Sequence, residues 1–293
     1  MMDVVLGIIG GSGLYDLPGL EGTWETIESP WGEPSDSVLR GTLAGTPIVF
    51  MPRHGRGHRL GPTQINYRAN IDVLKRAGVT DLVSLSACGS LREDLPPGTF
   101  VIVDQFIDRT FAREKSFFGT GCVAHVSMAH PVSRDLGDRI EAAAEVSGVK
   151  SRRGGTYLAM EGPQFSSLAE SHLYRAWGAD VIGMTNMPEA KLAREAEISY
   201  ATVAMVTDFD SWHPDHGEVD IQQIIATMNA NGDAARALVQ ALAVATPPTR
   251  EVCSAGSDTA LEFAIITSPD ARDPALVAKL DAVAGRVLHR TAP

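Results

Sequence analysis

Short β-branched runs alternate with stretches of helical period along almost the whole 293-residue chain, and no other feature restricts the fold as strongly. The apolar runs read LGII, TPIVFMPR, DLVSLSACGS, GTFVIVDQF, TYLAMEG, ADVIGMT and YATVAMVTD. Between them the spacing predicts helices over 64–77, 133–147 and 168–177, stopped by Gly78, Gly148 and Gly178 in turn. A fourth helix opens at Asn186 and Pro188, and a long one starts near Asp220. Alternation of this kind dictates an α/β fold, a largely parallel sheet covered by helices, with functional residues at the carboxyl ends of strands. The segments 119–124 and 246–249 are loop breaks and not domain linkers. The expectation is a single domain: residues 1–250 carry the site and residues 251–293 form a helical extension packed on it.

A formal charge of −11 argues against a nucleic-acid binder or an anionic-membrane binder, which need basic surface. Any anion site must therefore be local. Cys88, Cys122 and Cys253 are odd in number and widely spaced, which suggests neither a disulfide framework nor a C-x-x-C metal site and fits a reducing cytoplasm. Asp3 stands where a signal peptide needs positive charge, and no apolar run is long enough to span a membrane.

The stretch GIIGGSGLYD at Gly7–Asp16 ends an apolar run in closely spaced glycines, where a backbone can wrap an anion. It fails as a dinucleotide fingerprint. Asp16 stands where the third glycine belongs, and Glu33 and Asp36 fall in a loop-like segment instead of ending a second strand. No G-K-[ST] follows, so a nucleotide phosphate loop is excluded as well. Other strand ends supply more chemistry: Ser12, Arg53-His54, Ser86 and Thr185 together offer a cation, an imidazole, three hydroxyls and backbone N–H groups, an inventory that suits one inorganic phosphate. Singly, each hydroxyl also reads as a helix cap and Arg53 as the partner of an acid. Asp208 and Asp210 follow a strand too apolar for the surface. Two carboxylates two residues apart point the same way if the strand continues, and being close they do not both ionise easily, so one is a candidate acid. A metal would want more ligands than His213 and His216 add.

Eight segments, GIIGGSGL, PRHGRGH, NYRANIDVLKRAG, SACGSLRED, DQFIDRT, EGPQFSSLAES, GADVIGMTNMPEAKLAREAEI and YATVAMVTDFDSW, resemble in order and spacing the methylthioadenosine phosphorylase branch of the purine nucleoside phosphorylases. The resemblance spans roughly residues 5 to 245. It implies a central mixed sheet flanked by helices, a homotrimer, and inorganic phosphate as cosubstrate with no cofactor and no metal. It assigns phosphate to Ser12, Arg53, His54, Ser86, Thr185 and the backbone of Ala87, and the ribose to Met184. The base falls to Phe165, Ser166, Asp208 and Asp210, with Asp208 as the catalytic acid. The 5'-methylthio pocket falls to Ile221, Ile224 and Ile225, with His125 contributed by a neighbouring subunit. Serine replaces the commoner threonine at Ser12 and Ser86, TNMPE replaces a more usual dipeptide, and the chain after about residue 250 does not match. The implied reaction is phosphorolysis of 5'-methylthioadenosine to adenine and 5-methylthioribose 1-phosphate. Alternatives at this point are a methylthioinosine or broader purine nucleoside phosphorylase, a nucleoside hydrolase, and a non-catalytic nucleoside-binding regulator.

Overall fold

The computed structural model describes residues 1–11, 14, 16–214 and 221–289, without the side chains of residues 221 and 223. Ser12, the side chain of Ile221 and His216 therefore lie outside the described residues. An 11-stranded mixed sheet forms the centre. Its strands are β1 (Leu6–Gly10), β2 (Glu21–Glu25), β3 (Val38–Leu43), β4 (Thr46–Pro52), β5 (Asp81–Ser90), β6 (Phe100–Ile102), β7 (Gln105–Arg109), β8 (Ser151–Arg153), β9 (Thr156–Met160), β10 (Val181–Gly183) and β11 (Ser199–Asp208). The helices are α1 (Tyr67–Arg76), α2 (Arg134–Ser147), α3 (Leu168–Ala176), α4 (Asn186–Glu195), α5 (Ile221–Ala245), α6 (Pro274–Lys279) and α7 (Asp281–Leu288). Among the described residues no helix is long and apolar enough to cross a membrane.

The sheet runs β2-β3-β4-β1-β5-β10-β9-β7, with β11 and β6 stacked onto the other edge of β5 and β8 beyond them. Strand β5 is the hinge of the topology. Along one edge it pairs in parallel with the whole of β11. Along the other it pairs first with β1, in parallel through Asp81–Ser84, and then with β10, antiparallel through Gly89 and Ser90.

Alternate residues of β5 and β11 feed two cores. Leu82, Tyr200, Ala204 and Val206 join the apolar residues of α1, α4 and α7, while Val83, Leu85, Val203 and Met205 join those of α2 and α5. Helix starts follow their caps: Ser133 accepts from the Leu136 N–H, and Ser167 with Glu170 closes a capping box. The run GTFVIVDQF divides, because the chain leaves β6 at Val103 and enters β7, which pairs with β9 on a different part of the sheet.

The segment after residue 250 is tied down by ion pairs and backbone. Arg250 bonds the fully buried Asp81 at 2.6 Å and Asp258 at 2.7 Å. Arg286 of α7 bonds Glu197 at 2.7 Å. Ile265 pairs with Ala124 in an isolated bridge, and the His125 N–H donates to the Ala264 carbonyl at 2.9 Å.

Candidate active site

Strands β1 and β10 arrive on one edge of β5 from opposite directions, so their carboxyl ends face each other across Leu85–Cys88, which neither strand covers. Ends of strands that meet at such a break leave a crevice for a ligand. A cavity of about 380 Å3 occupies it, within the range of small-molecule sites. Ser86 and Gly89 both line it, three strand residues and therefore about 10 Å apart.

Near Ser86 the cavity collects hydrogen-bonding groups for an anion. Gly11 passes so close that a Cβ would stand 2.5 Å from the Leu85 carbonyl oxygen and 2.8 Å from Arg53 Nη1, which no side chain tolerates. The Ser86 hydroxyl lies 3.1 Å from the Tyr157 hydroxyl and 3.3 Å from that of Thr185, the N-cap residue of α4, which makes no side-chain cap bond. Arg53 is 0% exposed and is anchored from three sides: Nε donates to Glu189 Oε2 at 2.8 Å, Nη1 to the Leu85 carbonyl at 3.0 Å, and Nη2 to the Ser84 hydroxyl at 2.6 Å. Its charge is thus balanced by Glu189 of α4, while Arg53 still belongs to the cavity wall. His54 Nδ1 lies 2.8 Å from the Leu60 carbonyl, an acceptor, so Nδ1 carries the proton and Nε2 remains for a ligand. Burial first, and then the Arg53 charge, push the His54 pKa down to about 4.

Near Gly89 the chemistry is that of carboxylates. Strand β11 ends at Asp208, and its register against β5 shifts between Val206 and Asp208. The strand does not continue, so Asp210 does not share a face with Asp208 by alternation. A turn brings the two together, with the Asp210 N–H donating to Asp208 Oδ2 at 2.8 Å. The Thr207 hydroxyl lies 2.6 Å from Asp208 Oδ1 and 3.1 Å from the Cys88 carbonyl oxygen. Burial raises the pKa of Asp208, against the bonds from Thr207 and the Asp210 N–H and with the help of the Asp210 charge. Burial raises that of Asp210 too, against hydrogen bonding to its carboxylate from the Ser171 and Ser166 hydroxyls and the Ser211 N–H, while Oδ2 itself is buried without a close partner.

A model of the Phosphorylase superfamily matches residues 5–243. The chain belongs to this phosphorylase superfamily. Within it, the chain is 68% identical over 290 residues to the S-methyl-5'-thioadenosine phosphorylase of Bradyrhizobium diazoefficiens, covering 99% of this chain and 100% of that one. It is 64% identical to that of Cereibacter sphaeroides, over 98% and 99% of the two chains. The crystal structure of a methylthioadenosine phosphorylase from an antarctic soil metagenomic library superposes with a TM-score of 0.89 at 44% identity, over 97% of this chain and 99% of that one. A mutant adenosine/methylthioadenosine phosphorylase from Schistosoma mansoni, in complex with methylthioadenosine, gives 0.78 at 34% identity, over 82% and 90%.

The remaining residues singled out in this phosphorylase sequence divide. Ala87, Met184, Phe165 and Ile224 line the cavity. Phe165 is 50% exposed, an aromatic at the mouth and not in the core. The Met184 carbonyl accepts from Arg113, which also bonds Glu161 at 3.1 Å. Burial works against ionisation of Glu161, but bonds from Thr63 and the Phe111 and Ala112 N–H groups hold its pKa at about 2. Ser166 is buried but does not line the cavity. Its hydroxyl faces Met160 Sδ at 3.6 Å and its carbonyl accepts from Ser211. Ile225 is 47% exposed and does not line the cavity either. His125 is exposed on the segment bridged to Ile265, outside the cavity of its own chain. Sequence reasoning missed His58, Ile182 and Met228 in the wall, and Glu189 behind Arg53. Met228 was within reach of periodicity, one turn after Ile224. Glu189 carried no sequence signal, being 136 residues from its partner.

Proposed function

We propose that the protein cleaves 5'-methylthioadenosine by phosphorolysis, giving adenine and 5-methylthioribose 1-phosphate, in salvage of purine and methylthioribose. The observation that carries this reading is one cavity with an anion cradle at Ser86 and a buried carboxylate pair about 10 Å further along β5. That spacing suits a nucleoside whose anomeric carbon faces phosphate while its base reaches the carboxylates. The named relatives support the same substrate.

Glycosidic cleavage builds positive charge on the ribosyl group and negative charge on the departing purine, so the site must meet both. Phosphate, held by Ser12, Arg53, His54, Ser86, Thr185 and the Ala87 N–H, supplies the first and attacks the anomeric carbon. Asp208, whose burial favours the protonated form, supplies the second by giving a proton to the purine. Asp210 Oδ2, buried and unpaired, accepts from the exocyclic 6-amino group. A carboxylate there repels a 6-carbonyl oxygen, which favours adenine. Met184 meets the ribose, Phe165 covers base and sugar, and Ile221 and Ile224 take the methylthio end, completed by His125 of a neighbouring subunit in a homotrimer. No metal is needed for these steps. The buried, unpaired Cys88, Cys122 and Cys253 are in keeping with a cytoplasmic enzyme.

The test is to incubate the protein with methylthioadenosine with and without phosphate and to identify the products. Adenine and 5-methylthioribose 1-phosphate are expected only with phosphate, and Arg53→Ala should raise the KM for phosphate far more than that for nucleoside. Free methylthioribose formed at equal rate in phosphate-free buffer would overturn the reading in favour of a hydrolase.

A further inference from the structure

Thr207 sits where the register between β11 and β5 shifts. Such irregularities release ladder groups and re-aim side chains, often beside active sites. Two oxygens face the Thr207 hydroxyl, the Cys88 carbonyl at 3.1 Å and Asp208 Oδ1 at 2.6 Å. A carbonyl only accepts, and a hydroxyl has one proton to give. Both contacts are hydrogen bonds at once only when the proton between Thr207 and Asp208 belongs to Asp208. With Asp208 ionised, Thr207 must give its proton to the carboxylate, and the Cys88 carbonyl faces bare lone pairs. The other carboxyl oxygen, Oδ2, is engaged as an acceptor from the Asp210 N–H at 2.8 Å, which leaves Oδ1 as the oxygen to carry a proton.

We propose that Thr207 is a positioning residue that parks the proton of Asp208 on Oδ1 in the ligand-free protein, receiving it while donating its own proton to the Cys88 carbonyl. The proposal rests on the reading of Asp208 as proton donor. Among the described residues, the titratable groups facing Asp208 are Asp210 and the Cys88 thiol, neither of them a cation. Burial of Asp208 acts against the charged form, as a proton parked on Oδ1 does, whereas a bond given by Thr207 to the carboxylate would act for it. When a purine departs, the electron pair of the C–N bond goes to the purine, which takes the Asp208 proton, and a phosphate oxygen forms the new bond to the anomeric carbon. Thr207 neither gains nor loses a proton overall. Its hydroxyl turns from the Cys88 carbonyl to the new carboxylate, which it then serves as donor.

The experiment is the pH dependence of kcat/KM for methylthioadenosine at saturating phosphate, which reports groups of the nucleoside-free enzyme. The acid form of Asp208 is lost as pH rises through its pKa. Thr207→Val removes the acceptor of the acid's proton and lowers that pKa, so the alkaline limb is expected to move about one pH unit lower. Thr207→Ser keeps a hydroxyl and is expected to restore the wild-type limb. If Thr207 served only to donate to the carboxylate, its removal would raise the pKa; a limb that moves upward, or does not move, overturns the proposal. Thr207→Ala carries the same expectation should the valine variant not fold. Titration of the Asp208 carboxyl carbon by NMR in the ligand-free protein, assigned with Asp208→Asn, reads the same shift without turnover. Absence of phosphorolysis in the wild type would therefore overturn the functional reading, while an unshifted carboxyl titration would overturn this one.

Discussion

At Asp210 the backbone enters the left-handed region, with φ of +51°, just beyond the strand that ends at Asp208. Non-glycine residues seldom adopt it, although aspartate and asparagine do so more readily than others. A residue held there with a buried, unpaired carboxyl oxygen is shaped for a partner that arrives later. Asp210→Asn keeps the backbone preference, so its unfolding free energy is expected to change by less than about 1 kcal/mol. The amide donates as well as accepts, so the preference of kcat/KM for methylthioadenosine over methylthioinosine is expected to fall about tenfold, on the scale of one mismatched hydrogen bond. A ratio that stays put would mean that base identity is read elsewhere. The residue types were legible in VTDFDSW; the turn that joins them and the lone oxygen were not, because extending a strand by alternation cannot foresee where it stops.

Helix α4 and the end of strand β4 are locked together by one buried ion pair, Arg53 with Glu189, and Tyr200 of β11 adds a hydrogen bond to Glu189 at 2.9 Å. Removing one partner of such a pair strands the other charge in a low-dielectric interior. Glu189→Ala is expected to lower the unfolding free energy by about 3 kcal/mol in urea titrations. Added phosphate should raise the unfolding midpoint of this variant more than that of the wild type, since the anion gives Arg53 a new partner. Equal gains would show that Arg53 does not meet the anion. Much of this level was legible in sequence. α2 ends at Gly148 in a left-handed conformation, as a glycine stop requires, and polar residues closing apolar runs marked β4, β5 and β10. The antiparallel β2 and β3 were not foreseen. Four of the five residues of EGTWE are exposed, so they leave no apolar alternation to detect. Pairing across the fold, as in Arg53 with Glu189, is set by topology, which local pattern does not encode.

Considered whole, the chain exposes His125 on a segment held by its own C-terminal region, where Phe263 is 92% and Ile266 65% exposed. Apolar side chains this bare suit contact with a second copy, in line with the proposed trimer. Mixing His125→Ala with Asp208→Asn chains is expected to yield more activity than either variant alone, because some sites in hybrid trimers receive both intact residues from different subunits. Activity that merely averages the parents, in assemblies shown by mass to have exchanged subunits, would place His125 in its own subunit's site or in none. The Arg53–Glu189 pair bears on this scale as well. With that cation balanced by Glu189, a formal charge of −11 on the chain repels anions at long range. Capture there depends on groups that act only at contact, the Glu189-balanced Arg53 and oriented N–H and O–H dipoles, so added salt, by screening the repulsion between anion and protein, quickens arrival where a basic site would be slowed.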